Sequence, residues 1–317
     1  MSTAQDLATR VGAGEARAVA RLISWVEDGA AGLPDALAAL PTCPPAYVIG
    51  LTGSPGVGKS TVTSALVAAY RARGVRVGVL AIDPSSPFSG GALLGDRIRM
   101  QEHATDEGVF IRSMASRGHL GGMSAATPQA VRVLEAAGCG VVLVETVGVG
   151  QSEVDIAATA DATVVLLAPG MGDGIQAAKA GILEIADIVC VNKADRDGAE
   201  ATAREVRQML RLGAPQDGWV VPVVTSSAAR GEIGDLVDSL DERRAWLDQD
   251  DRWAARRRER AAGEILALAL GRSRVRLAQA LDSEAIDAVA NGRMSAFAAA
   301  DALLGEQDSG ASTPPSG

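Results

Sequence analysis

Aromatic side chains are scarce in this chain, at 3% of residues, and its charge balance is acidic, with a formal net charge of −9. Nucleic-acid binding surfaces rely on a basic footprint and on rings against which bases stack. With neither in evidence, no nucleic-acid partner is expected. Histidine is nearly missing, at two residues, and the three cysteines, Cys43, Cys139 and Cys190, are scattered and odd in number. That pattern excludes a zinc ribbon or a disulfide scaffold. Isolated thiols in or beside apolar runs read instead as reduced core residues of a cytosolic protein. No apolar run reaches the roughly 20 residues of a membrane span. The N-terminus, with Asp6 and Glu15, lacks the pattern of a signal or transit peptide. The expectation is a cytoplasmic protein without a membrane partner.

What the chain does carry is Gly53-Ser54-Pro55-Gly56-Val57-Gly58-Lys59-Ser60, followed by Thr61. The stretch fits Gly-x-x-x-x-Gly-Lys-Ser, the phosphate loop of nucleotide triphosphatases. Backbone N–H groups must curl round the β- and γ-phosphates, and Gly56 and Gly58 permit shapes and approaches that a Cβ would hinder. Lys59 supplies a compact positive charge, and Ser60 offers its hydroxyl to Mg²⁺. The setting agrees. Tyr47 to Thr52 reads as a buried strand before the loop. Val62, Leu66, Val67 and Tyr70 recur at helical spacing after it, until Gly74. The helix turns its positive end towards the same anion.

At 317 residues, 47% of them hydrophobic, the chain can bury a large core. One main domain with helical additions is the expected organisation. Residues 1–45 read as a helical extension separate from the core: Val19, Leu22, Ile23 and Val26 form one apolar face ended by Gly29. Leu37 and Leu40 mark a second helix opened by Pro34. Two readings stay open for this extension, an arm that packs on the core or a partner, and plain helical decoration. From 46 to 230 strands and helices alternate. Strands are predicted at 46–52, 75–82, 109–114, 140–145, 162–168, 187–191 and 219–225, and helices at 59–73, 125–137, 175–185 and 198–211. Several strands are near-continuous Val/Ile/Leu runs, as in a parallel sheet covered on both faces. The fold class is therefore α/β, a doubly wound, mostly parallel sheet whose ligands gather at the carboxyl ends of its strands. Residues 231–304 read as helical only, with the run Arg256-Arg257-Arg258-Glu259-Arg260 taken as a solvated face. Residues 305–317 are small and polar and read as a disordered tail.

Asn192-Lys193-Ala194-Asp195 follows the strand Ile188 to Val191. The Asp195 carboxylate can accept two hydrogen bonds from guanine N1–H and its 2-amine, which adenine does not supply. Ser226, Ser227 and Ala228, after the next strand, stand where a second loop touches the base, although Ser-rich turns are common there. Glu145-Thr146-Val147-Gly148 ends the strand Val141 to Val144, where nucleotide hydrolases place a second Mg²⁺-linked carboxylate. The longer Glu arm reads as acting through a metal-bound water. Asp83, at another strand end, and Asp96 are candidate Mg²⁺ ligands through water. Asp83 has a second reading, as the group that positions the attacking water. Val149 follows Gly148 and Gln151 lies two residues further on, so slow intrinsic hydrolysis is expected. In Gly170 to Lys179, Asp173, Gln176 and Lys179 recur every third residue and share a face if helical. A loop with ordinary helix-terminal charges is the other reading.

These residues together resemble the MeaB/ArgK GTPases. The resemblance rests on Asp83-Pro84-Ser85-Ser86, Gly90-Gly91 through Gly95-Asp96-Arg97, Arg117-Gly118-His119-Leu120-Gly121-Gly122, and Glu145 through Glu153. It extends from the N-terminal helices to about residue 300. It implies a GTPase that chaperones adenosylcobalamin-dependent methylmalonyl-CoA mutase, hydrolysing GTP with Mg²⁺ to gate cofactor loading and protect the mutase. It also implies a homodimer built through the C-terminal helical arm. In this family Glu145 is the ordinary residue. By position, Lys59 and Ser60 bind phosphate and metal, and Asp83, Asp96 and Glu145 form the metal and catalytic shell. Asp173, Gln176 and Lys179 match the switch through which the mutase stimulates hydrolysis. Many members read Asp-Glu-Leu-Gln where this chain has Asp173-Gly174-Ile175-Gln176. A metal-delivery GTPase would want His-rich or Cys-x-x-Cys sites, and a small-molecule kinase has little use for guanine selection. A MinD-like ATPase would carry a Lys at position 54.

Overall fold

The computed structural model describes residues 3–84, 103, 105–116, 123–146, 152–170, 181–211 and 218–309. Within them, seven strands form one parallel sheet: β1 (Tyr47–Thr52), β2 (Val77–Pro84), β3 (Val109–Ser116), β4 (Val141–Thr146), β5 (Ala162–Leu167), β6 (Ile188–Asn192) and β7 (Val223–Ser226), in the order β3-β2-β4-β1-β5-β6-β7. The Val-rich runs explain the centre: every residue of β1, β4, β5 and β6 is buried, as expected for strands covered on both faces. The chain winds to one side of β1 through β2 and β3, returns through β4, and continues on the other side from β5. The reversal leaves a crevice at the carboxyl end of β1.

Helices cover both faces. On one lie α1 (Ala4–Gly12), α2 (Ala16–Asp28), α3 (Leu33–Ala38), α5 (Met123–Ala136) and α6 (Ser152–Thr159). On the other lie α4 (Lys59–Ala72) and α8 (Gly234–Leu247). A third apolar cluster joins β5 and β6 to α7 (Ala199–Leu210). Then come α9 (Arg252–Ala280), α10 (Ser283–Ala290) and α11 (Ala296–Ser309).

Five expectations are corrected. The N-terminal helices are not separate from the core: Leu7, Val11, Val19, Leu22 and Ile23 are fully buried and share one cluster with Leu80, Met114, Leu134 and Val142. Their amphipathic face had to be covered, and the sheet covers it. The last helix continues past 304 to Ser309, so a disordered tail from 305 does not hold for 305–309. The final strand, expected at 219–225, spans Val223–Ser226, and Trp219 ahead of it donates its indole N–H to Asp187 O at 2.7 Å. The arginine run is not a solvated face. Arg257 donates to Ala46 O at 2.8 Å, Arg256 reaches Asp187 at 3.2 Å and Arg260 reaches Asp161 at 2.5 Å. Of the helix expected at 175–185, the described part is a 3₁₀ turn, Ile182–Ile185.

Candidate active site

β1 delivers the phosphate loop to the crevice between β4 and β5. Gly53 has φ 142°, and a Cβ there would lie 2.2 Å from Leu166 O of β5. Gly58 has φ 96°, and its Cβ would meet the Asn192 amide nitrogen at 2.5 Å. Both positions therefore need glycine for conformation and for space. Ser54, Pro55 and Gly56 line the outer arc of the loop, and Val57 is buried beneath it. Helix α4 begins at Lys59, so its first N–H groups and its positive dipole end face the crevice. Thr61 stands exposed in the first turn.

Two side chains of α4 converge on one carboxylate. Ser60 Oγ donates to Glu145 Oε1 at 2.7 Å, and Thr63 Oγ1 donates to Glu145 Oε2 at 2.8 Å. Glu145 is 5% exposed and sits opposite Leu51 in the β4–β1 register. The Glu arm thus reaches the phosphate-loop serine directly. Thr63 was missed by sequence reading. Its signal was its spacing, three residues after Ser60 on the same helix face. Lys59 is also buried, with its Nζ donating to Gly53 O at 2.7 Å and Ser54 O at 3.2 Å.

The base-reading end is tied to the same loop. Asn192 donates through Nδ2 to Val57 O at 2.9 Å, while its Oδ1 accepts from Ser226 Oγ at 3.1 Å and from the Ala228 N–H at 3.2 Å. Lys193 adopts φ 60° and donates to Gly56 O at 2.6 Å. One asparagine therefore joins the phosphate loop to both Ser226 and Ala228, and Ser227 is buried beside them. Beneath Asn192, Cys190 Sγ lies 3.1 Å from Ser226 Oγ, and burial pushes its thiol up to about 12. Asp195 stands at the exposed rim, its carboxylate 3.5 Å from Arg230 Nη2. Arg230 was not anticipated, because nothing in a lone arginine after the Ser-rich turn marks it.

Asp83 lies at the carboxyl end of β2, paired with Ala115, one register step beyond the Ile82–Thr146 pair. Asp96, Asp173, Gln176 and Lys179 lie outside the described residues. So do Val149, Gln151 and the motifs at 85–97 and 117–122.

The comparisons with known proteins agree with this geometry. The sequence profile of the family described as "Methylmalonyl Co-A mutase-associated GTPase MeaB" matches residues 19–281. A putative GTPase of Pyrococcus horikoshii is 43% identical over 311 residues, covering 96% of this chain and 98% of that protein. The mouse "methylmalonic aciduria type A homolog, mitochondrial" is 40% identical over 204 residues, covering 63% of this chain and 49% of that protein. A crystal structure titled "LAO/AO transport system kinase" superposes with a TM-score of 0.72 at 25% identity, covering 96% of this chain and 97% of that one. With a phosphate loop, a serine-bound acid and an Asn-Lys-x-Asp end gathered at one sheet edge, the chain belongs to the MeaB family and is a P-loop GTPase.

Proposed function

We propose that this GTPase is Mg²⁺-dependent and chaperones an adenosylcobalamin-dependent methylmalonyl-CoA mutase, gating cofactor loading and protecting or reactivating the enzyme. The observation that carries the reading is the family profile, named for its association with that mutase, matched across 19–281 and joined to an intact nucleotide site. In this reading the loop from Gly53 to Ser60, with Thr61, wraps the phosphates, and Lys59 neutralises charge on the β- and γ-phosphates. Asp195 reads guanine. Asn192, Lys193, Ser226, Ser227 and Ala228 hold its frame through the bonds described above.

Mg²⁺ fits the donor set. The Ser60 hydroxyl and the Glu145 carboxylate form an all-oxygen pair at 2.7 Å beside the phosphate loop, the hard-ligand chemistry this ion prefers. Ser60, Glu145, Asp83 and Asp96 would hold it, and when bound it screens charge on the phosphates. Asp83 would orient the attacking water, with Glu145 fixing Ser60 through a direct hydrogen bond. Asp173, Gln176 and Lys179 are proposed as the switch that the mutase engages. The chain also fits a homodimer joined through its C-terminal helices. Their large apolar residues Ile265, Leu266, Leu270, Ile286 and Phe297 are exposed, the last at 85%, the side chains a partner helix would cover.

The test is GTP turnover at matched Mg²⁺ with and without methylmalonyl-CoA mutase. A rise specific to GTP is expected, and Lys179→Ala should keep basal turnover while blunting the rise. Tight GTP binding without any rise would overturn the choice of client.

A further inference from the structure

The amino end of the sheet, opposite the nucleotide crevice, holds two buried aspartates, each one residue ahead of a strand. Asp161 precedes β5 and is 1% exposed; Asp187 precedes β6 and is 8% exposed. Each extends the ladder sideways. Asp161 Oδ2 accepts the Val48 N–H of β1 at 2.9 Å, and Asp187 Oδ2 accepts the Thr163 N–H of β5 at 2.8 Å. Two carboxylates thus fix the starting register of β1, β5 and β6 against one another.

The C-terminal helices clamp these same carboxylates. Arg243 of α8, with a side chain 4% exposed, lies 2.6 Å from Asp187 Oδ1, and its guanidinium packs beside the tilted Trp219–Trp246 pair, 5.0 and 4.5 Å from the two ring centroids. From α9, Arg256 reaches Asp187 Oδ2 at 3.2 Å and the Ala160 carbonyl at 3.3 Å, while Arg257 and Arg260 reach Asp161 at 3.4 and 2.5 Å. Arg256 and Arg260 are four residues apart on one helix face. Arg258, on the outward face, is exposed.

The three strands held there each contribute to the site at their far ends, beside β4 with Glu145. β1 runs to the phosphate loop, β6 runs directly from the Asp187 clamp to Asn192, and β5 supplies the Leu166 carbonyl against Gly53. β6 has five residues, about 16 Å of extended chain. A shift of its start therefore displaces its end, because closely packed strands slide as units. We propose that the arginine clamp makes α9 a positioning element for the nucleotide site, with Arg256 on Asp187 setting the guanine-reading end of β6. Helix docking and nucleotide binding are then reciprocally coupled. This rests on the reading of Asn192 to Asp195 as the guanine-reading segment.

The experiment has two parts on the full chain. In the unmodified protein, amide hydrogen exchange over 252–262 is followed with and without GDP and Mg²⁺; bound nucleotide is expected to slow it about fivefold or more. Arg256→Gln is then expected to weaken GDP binding about fivefold or more and to abolish that nucleotide-dependent protection. Arg256→Lys should recover part of the affinity, since an ammonium still reaches one carboxylate oxygen. Arg258→Gln should change neither. If exchange over 252–262 ignores GDP, or Arg256→Gln lowers Tm while GDP affinity stays at the parent value, the clamp is structural only and the proposal falls. Should Arg256→Gln fail to fold, the exchange comparison in the unmodified chain decides. An unchanged guanine preference in Asp195→Asn would instead sink the reading of the base site on which the proposal rests.

Discussion

The two edges of the sheet solve opposite electrostatic problems. At the carboxyl edge polar groups are held ready for a ligand: backbone N–H groups at the start of α4, Lys59 beside loop carbonyls, and Glu145 shared by two hydroxyls. At the amino edge charges are paired within the protein, four arginines on two aspartates, and two of them, Arg243 and Arg257, also lie against tryptophan rings. Burial lowers the Arg257 pKa from its ordinary value, while Asp161 raises it. Burying one partner of such a pair without the other leaves an uncompensated charge. The amino edge is thus fixed at folding, and the carboxyl edge is completed only by substrate.

Removing charge at the ligand edge should abolish function and leave the fold. Lys59→Ala is expected to lower GTP affinity at least ~100-fold, by loss of a charge-assisted contact to phosphate, with unchanged thermal melting; calorimetric titration with GTP measures it. Removing charge at the paired edge should fall mainly on the fold, with only the several-fold loss of nucleotide affinity that the clamp transmits. Arg243→Ala leaves the buried Asp187 with Arg256 as its one arginine and should cost about 1.5–3 kcal/mol in urea unfolding, with GDP affinity falling far less than in Lys59→Ala. Equal damage to both properties in either variant would erase the contrast between the edges. Asp195→Asn should reduce the GTP-over-ATP preference by about 10–100-fold, read by competition binding. The smallest effect is at Glu135, which lines the amino edge and accepts the Ala46 N–H at 3.0 Å. Burial holds its pKa above the usual carboxylate value, outweighing the hydrogen bond from Ala46 and the nearby Arg257. Because its folded pKa is raised, the stability it contributes is present below the unfolded pKa near 4.5 and is lost as pH rises through the folded value. Glu135→Gln keeps the acceptor and removes that loss. It is expected to raise Tm by about 1–3 °C at pH 7 and to leave it unchanged near pH 4.

Much of the ligand edge could be read from local sequence. The valine-rich strands, the glycine spacing before Lys59 and the Asn192 motif each declare themselves within a few residues, because parallel strands and phosphate loops impose short-range patterns. Thr63 was legible only through its spacing from Ser60. The amino edge was not legible. Arg256 to Arg260 looks like a solvated face because its partners, Asp161 and Asp187, lie 69 to 99 residues earlier in the chain. Val19 and Leu22 carried the apolar pattern of a helix, but nothing local announced that they would join the central cluster with Leu134 and Val142.

The thiol of Cys190 gives the base-reading end a clock. The sulfur is wholly buried under Asn192, against Ser226, with its ionisation pushed up to about 12, so at neutral pH it is a poor nucleophile. Cys139 is similarly buried and similarly shifted, whereas Cys43 is partly exposed. A thiol reagent should therefore modify Cys43 first. Cys190 is reached only when β6 and β7 part, so its labelling rate counts spontaneous openings of the sheet at that end, one sulfur atom recording how often the frame that grips the base lets go.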